Sequence, residues 1–246
     1  MGEIASFVHE RKTLYQKSRG KHFFVSVWDG IMYDELKRKL IKRNDIEALK
    51  DCFALCVADG DHETNGEIRK AVRGLGASSE GLELYWKTHL FDAPEKLDSY
   101  MLYIEHNRPI QKQFYLPRRK QLKRLVDALQ RLEERELTLL GISLAPGVGK
   151  TTTAEFFLTW TGGRHPEVPI LTGSHSNAFL RGMYGEIQRI LDPMGDYLFN
   201  DVFPDVHVIN TNAQDMMIDL GRQWHPFSKL LKYIDLCFLY KIKYLT

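Results

Sequence analysis

Residues Leu137–Thr152 read LTLLGISLAPGVGKTT. The first eight residues form a continuous apolar run of strand length, as a strand buried on both faces would. The next eight carry the closing half of a phosphate-binding loop, with Gly147, Gly149, Lys150 and Thr151 in register. Leu144 stands where the fuller pattern has its first glycine. That glycine only closes the strand-to-loop turn, so its loss is tolerable. Backbone N–H groups over Pro146, Gly147, Val148, Gly149, Lys150, Thr151 and Thr152 can form a nest around phosphate oxygens, although Pro146 itself has no N–H to give. Gly147 and Gly149 permit the positive φ and close approach that such a nest needs. A helix starting near Lys150 adds its N-terminal partial charge. Lys150 then supplies a point charge to the β- and γ-phosphates, and the Thr151 hydroxyl can ligate Mg²⁺. The competing reading is an ordinary strand-to-helix turn with an exposed lysine.

Downstream, VPILTG (168–173) has the texture of a second buried strand. Ser176 is placed to cap a helix running to about Leu191. VHVINT and MMIDLG flank a polar NAQD turn and predict a β-hairpin. Strand, loop, helix, strand and helix in that order predict an α/β fold with a P-loop NTPase-type three-layer core, incomplete, over 107–228. An all-helical region over 1–106 precedes it, and an atypical tail over 229–246 comes after it.

The N-terminal region carries helical periodicity over Trp28–Ile46 and Asp45–Val57, the latter through Ile46, Leu49, Cys52, Phe53 and Cys56. ADGDHETNGE then resembles a calcium loop through Asp59, Asp61 and Glu63, but Thr64 and Lys70 occupy the places of its glycine and final glutamate. No EF-hand is expected. Two short helices should come next over Leu82–Phe91 and Pro94–Glu105, the second opened by its proline. A longer helix then carries Leu122, Leu125, Val126, Leu129 and Leu132 as its apolar stripe.

Composition narrows the class. With 246 residues, 43% of them apolar, the chain can bury a substantial core. A net charge of +2 does not by itself call for a nucleic-acid partner. Local runs are stronger: Arg108–Arg124 holds seven Lys/Arg and no acid, and Lys37–Arg43 holds five. Cys52, Cys56 and Cys237 form neither a disulfide framework nor a zinc pattern, and read as reduced thiols. The N-terminus lacks a signal-peptide apolar stretch, and no run reaches the roughly 18 apolar residues of a membrane span. No membrane partner is expected.

NRPIQKQFYLPRRKQLKRLVDALQRL, SLAPGVGKTTTAEFFLTW, ILTGSHSNAFLRGMYGEIQRIL and VFPDVHVINTNAQDMMIDLGRQWHPF succeed one another at a spacing that resembles tailed-phage terminase large subunits of the prophage type. The likeness covers about Asp98 to Phe227. It implies an ATP- and Mg²⁺-dependent motor acting on double-stranded DNA in the cytoplasm of a bacterial host, with the phage portal and small terminase subunit as partners and a possible homo-oligomer in the motor. It also implies an adenine-reading segment, which Phe114–Gln121 resembles. A Gln amide can donate to and accept from an adenine edge, and an aromatic or Arg plane can stack on the base. Gln121 is the expected reader, with Tyr115 and Arg118 or Arg119 stacking or contacting phosphate. The other reading makes Gln121 a solvated helix residue and Tyr115 a core residue. The loop arginine of many family members is replaced here by Pro146 and Gly147, so a catalytic arginine would come from elsewhere, with Arg181 and Arg222 as candidates.

Hydrolysis by such a motor needs an apolar strand ending in paired carboxylates, one for Mg²⁺ and one for the attacking water. No such pair occurs after the loop: DVHVIN ends in Asn210, and KYIDLC offers Asp235 alone. The expectation is a terminase fragment that binds ATP with little turnover, truncated before the acidic motif and the nuclease domain. The alternatives are another helicase-like P-loop ATPase and a non-catalytic DNA- or partner-binding module.

Overall fold

The computed structural model describes residues 34–76 and 78–222. The chain divides into two compact units, Met1–Ala77 and Ser78–Thr246. The boundary expected at 106–107 therefore lies inside the second unit.

In the first unit, α1 (34–43), α2 (Ile46–Asp59) and α3 (His62–Gly74) succeed one another. Leu40, Leu49, Cys52, Phe53, Cys56, Ile68 and Val72 are buried, as the apolar spacing dictates. Gly60 takes φ +71 at the end of α2, the left-handed cap that glycine adopts without strain. The acidic stretch resembling a calcium loop serves helix capping instead. The Asp61 carboxylate accepts from the backbone N–H of Glu63 and Thr64 at 3.1 and 2.9 Å. It also pairs with the buried Lys37 Nζ at 2.7 Å, which Asp59 meets at 3.1 Å. Burial alone would lower the Lys37 pKa, but these two carboxylates outweigh it and raise it.

The second unit opens with α4 (Ser79–Asp92), capped by Ser78, whose Oγ accepts from Gly81 N at 3.0 Å. A turn through Pro94 leads to α5 (Leu97–Tyr103), so this helix starts three residues later than its proline suggests. A short 3-10 turn (Ile110–Lys112) precedes α6 (Tyr115–Glu133). Then come α7 (Lys150–Arg164), α8 (Asn177–Leu191) and α9 (Phe199–Val202). The described residues end on an antiparallel pair, β1 (Val206–Asn212) and β2 (Met217–Arg222). The hairpin and the Ser176 cap, whose Oγ accepts from Phe179 N at 3.4 Å, form where the sequence places them.

The core of this unit joins α5, α6, α7, α8 and α9 through Tyr100, Met101, Leu122, Val126, Phe156, Trp160, Ile190 and Phe199. Two buried hydrogen bonds tie α7 to the preceding helices. Tyr100 Oη and Thr159 Oγ1 lie 2.9 Å apart, and Trp160 Nε1 donates to the Ala93 carbonyl at 2.9 Å. These contacts bind the last residues of the expected helical region to the loop-bearing helix, and explain why no break occurs near residue 106.

The described residues are thus mostly helical, with one small two-stranded antiparallel sheet. The parallel strands expected over 137–144 and 168–173 do not form. No strand pairs with either segment among the described residues. Residues 138–148 and 169–173 accordingly make no backbone–backbone hydrogen bond there. A strand is stabilised by its neighbour's ladder and has no helix-like internal bonding. Most of their aliphatic side chains face outward, with Leu139 86% and Leu171 97% exposed, while Leu140 packs partly against the core. A mixed helix-and-strand composition stands; the three-layer P-loop core is not formed among the described residues.

Candidate functional site

Loop 144–149 turns into α7 through two glycines in left-handed conformations, Gly147 at φ +79 and Gly149 at φ +105. These are the two positions at which the sequence requires positive φ. Gly149 is the N-cap of α7, and its carbonyl accepts from Thr153 N at 3.0 Å and Thr153 Oγ1 at 2.9 Å. The N–H groups of the first helical turn, beginning at Lys150, point out of the helix end without intrahelical acceptors. Lys150 folds back over the loop, its Nζ donating to the Leu144 carbonyl and lying 3.5 Å from that of Ala145. Pro146 and Gly147 are exposed, and Val148, Gly149, Lys150, Thr151 and Thr152 are half-buried. The turn is open to solvent with an ammonium lying across it. Its donors suit an anion. Thr151 offers a hydroxyl, but no group of three or more His, Cys, Asp or Glu able to hold a metal ion stands among the described residues.

One face of α6 adjoins this turn. Phe114, at its N-cap, lies so close that a Cβ on Gly149 would stand 2.4 Å from the Phe114 ring. Only glycine fits there. On the ring lies the Arg118 guanidinium, 5.1 Å from the ring centroid, and Arg118 Nη1 donates to the Phe114 carbonyl at 3.1 Å. Gln121 shares this face by helical spacing (positions i, i+4 and i+7) and is exposed. The structure thus brings Arg118 toward the loop through Phe114 and leaves Gln121 about 10 Å further along the helix.

Tyr115 is placed otherwise. It is fully buried, and its hydroxyl donates to Asp98 Oδ1 at 2.6 Å. No face of the ring is open to a base, so the stacking role expected of Tyr115 does not fit this geometry. Arg119 is likewise committed to Asp98, through Nε at 3.0 Å and Nη2 at 2.6 Å. Burial alone would raise the Asp98 pKa, but Arg119 and then Tyr115 hold it below the ordinary carboxylate value. Of the candidate arginines, Arg181 is exposed and Arg222 Nη2 donates to the Arg164 carbonyl at 2.6 Å. Asp235 lies outside the described residues.

Two groups were not legible as site residues. Glu105 is buried, and its carboxylate accepts from the backbone N–H of Phe114 at 3.0 Å and Tyr115 at 2.9 Å. Arg108 Nη1 donates to it at 2.8 Å and also reaches the Tyr197 hydroxyl at 2.8 Å. A carboxylate thus closes the free N–H end of α6 from outside the helix, which seats Phe114 on Gly149. Burial outweighs these donors and leaves the Glu105 pKa raised. The second group is Glu155, on α7 just beyond the loop. It is only 5% exposed and makes no hydrogen bond or ion pair with the described residues. Burial foremost, then the nearby Glu186 carboxylate, raises its pKa to about 7, with Arg189 offsetting part of the rise.

The Glu155 shift has a sign that can be measured. In the folded chain the carboxyl keeps its proton up to about pH 7, while in the unfolded chain it loses it near the ordinary value. Stability from this group is therefore full below the unfolded pKa and falls as pH rises to the folded one. Glu155→Gln should remove that slope and leave the protein about 2 kcal/mol more stable than the parent at pH 8. Equal denaturation midpoints for variant and parent at pH 8 would contradict the assignment.

The basic runs are partly consumed by internal pairs. Within 108–124, Arg108 serves Glu105, Arg119 serves Asp98, Lys123 pairs with Asp127, and Arg118 is held on Phe114. Lys112, Lys120 and Arg124 remain exposed. Among the described residues, no helix is long and apolar enough to cross a membrane. No family model, curated protein or solved structure matches the chain.

Proposed function

We propose that the Gly147–Thr152 turn binds the phosphates of ATP, and that the chain is the nucleotide-binding part of a terminase-type DNA-packaging motor. The observation that carries this reading is the turn itself. Both glycines hold positive φ at the start of a 15-residue helix, with Lys150 lying across the loop. An incoming phosphate offers the ammonium a full charge in place of two carbonyl dipoles, so Lys150 swings from the loop carbonyls onto it. Backbone N–H groups at the head of α7 hold the remaining oxygens. Thr151 would offer one hydroxyl oxygen to a Mg²⁺ carried by the phosphates. Arg118 and Gln121, on the face that Phe114 anchors, border the base. Nucleotide binding is the activity that the turn itself supports.

The motor context, with double-stranded DNA, portal and small subunit as partners in a bacterial cytoplasm, rests on the sequence resemblance. Titration calorimetry with a non-hydrolysable ATP analogue, with and without Mg²⁺, tests the core of the proposal. Lys150→Ala should weaken binding at least tenfold, equivalent to about 1.4 kcal/mol. Undiminished affinity in that variant would overturn it. A second reading, a non-catalytic module that touches DNA phosphates, draws on the exposed Lys112, Lys120 and Arg124. It requires salt-dependent DNA binding that survives Lys150→Ala, with no nucleotide binding by the parent.

A further inference from the structure

An open groove of about 630 Å³ lies between α7, the 166–172 segment, α8 and the hairpin. Its walls are mixed, with Leu158, Leu180, Met183, Ile187 and Leu220 forming their apolar part. Along one rim runs Val168-Pro169-Ile170-Leu171, whose three aliphatic side chains are exposed. The backbone of residues 169–173 makes no backbone–backbone hydrogen bond with the described residues. Exposed aliphatic side chains on a segment whose N–H and C=O groups have no backbone partner among the described residues offer an added strand both contacts and hydrogen bonds. Such an edge takes up an extended peptide through main-chain bonds, with alternate side chains filling the groove.

Three observations identify the peptide. The hairpin wall ends at Arg222, whose guanidinium donates to the Arg164 carbonyl at 2.6 Å. The last described residue of the hairpin is thus held next to His165 and Pro166, which line the groove. Second, YIDLCFLY (233–240) has the length of a strand, and Ile234, Leu236, Phe238 and Tyr240 alternate onto one face. Ten residues separate it from Arg222, a reach of up to about 40 Å at roughly 3.5 Å per residue. Third, the charges match. The run is flanked by Lys229, Lys232, Lys241 and Lys243, and the groove presents Glu167, Asp215 and Asp219.

We propose that the groove is the docking site of this chain's own Ile234–Tyr240 segment, which pairs as an added strand with residues 168–172. Tethering favours this occupant over a second copy, because a short linker holds the segment at an effective concentration near the millimolar range. Docking buries Ile170 and Leu171 and gives 169–173 the ladder they lack. The inference is independent of whether the loop binds nucleotide.

Amide hydrogen exchange on the full chain tests it. Peptides spanning 168–173 should exchange at least tenfold more slowly than unstructured peptide, at a rate independent of protein concentration. Phe238→Asp should abolish that protection and leave α7 protected. Leu171→Asp, at a side chain already in solvent, provides the reciprocal variant and should speed exchange across 234–240. Unprotected 168–173 in the parent overturns the proposal, as does protection unchanged in both variants. Protection that fades on dilution also overturns it, because a second copy would then be the occupant.

Discussion

Trp160→Ala is expected to lower the stability of the second unit by about 3–5 kcal/mol, a large part of what a domain of this size holds. Trp160 is fully buried at the centre of that unit's core. Its indole touches Phe157, carries the Arg164 guanidinium at 4.8 Å, and donates to the Ala93 carbonyl. Truncation removes the apolar burial, opens a cavity and leaves a carbonyl without its donor. These costs add. Trp160→Phe separates them: it keeps most of the volume and loses the N–H, and should cost about 1–3 kcal/mol. Urea denaturation followed by far-UV circular dichroism distinguishes the two. Equal losses for both variants would mean that the hydrogen bond, rather than the packing, dominates. Because α7 carries the Gly147–Gly149 turn at its other end, Trp160 anchors the platform on which that turn stands.

Glu105→Ala should cost a similar amount, about 3–5 kcal/mol, for a different reason. Arg108 and Glu105 are both nearly excluded from solvent, and removing one partner leaves a buried charge unpaired. The Phe114 and Tyr115 N–H groups lose their acceptor in the same step. Glu105→Gln retains one carbonyl oxygen at the helix end and should cost less than half as much. The variant has a second readout at the site. With the N-terminus of α6 released, Phe114 no longer holds its place against Gly149, and ATP-analogue affinity should fall along with stability. A variant that unfolds more easily yet binds the analogue as the parent does would separate Glu105 from the loop.

Much of the fold followed from local patterns. Apolar spacing marked α2 and α6, Ser176 marked the start of α8, and a polar turn between alternating strands marked the hairpin. Each of these signals is short-ranged, since caps, turns and amphipathic stripes are satisfied within a few residues. The positive φ at Gly147 and Gly149 belongs with them, because only glycine takes it cheaply. The burial of Tyr115 was legible too: Tyr115, Leu122, Val126 and Leu129 obey helical spacing, and extending the α6 stripe back by two turns sends Tyr115 inward.

Tertiary structure decided what depends on distant partners. Whether LTLLGISL and VPILTG become strands is set by a neighbouring ladder that their own residues cannot supply, and among the described residues both stand unpaired. That Glu105 closes a helix beginning at Tyr115 was invisible because its role is fixed by a fold-back of the chain rather than by a motif. Seven basic residues over 108–124 read as one charged run, yet their carboxylate partners come from 98, 105 and 127, so packing leaves only part of that charge free. By itself, then, the sequence determined a two-glycine turn at the head of a helix. The tertiary structure decided which aromatic side chain seats it, which carboxylate holds that side chain, and which apolar edge is left open, because each depends on contacts between residues far apart in the chain.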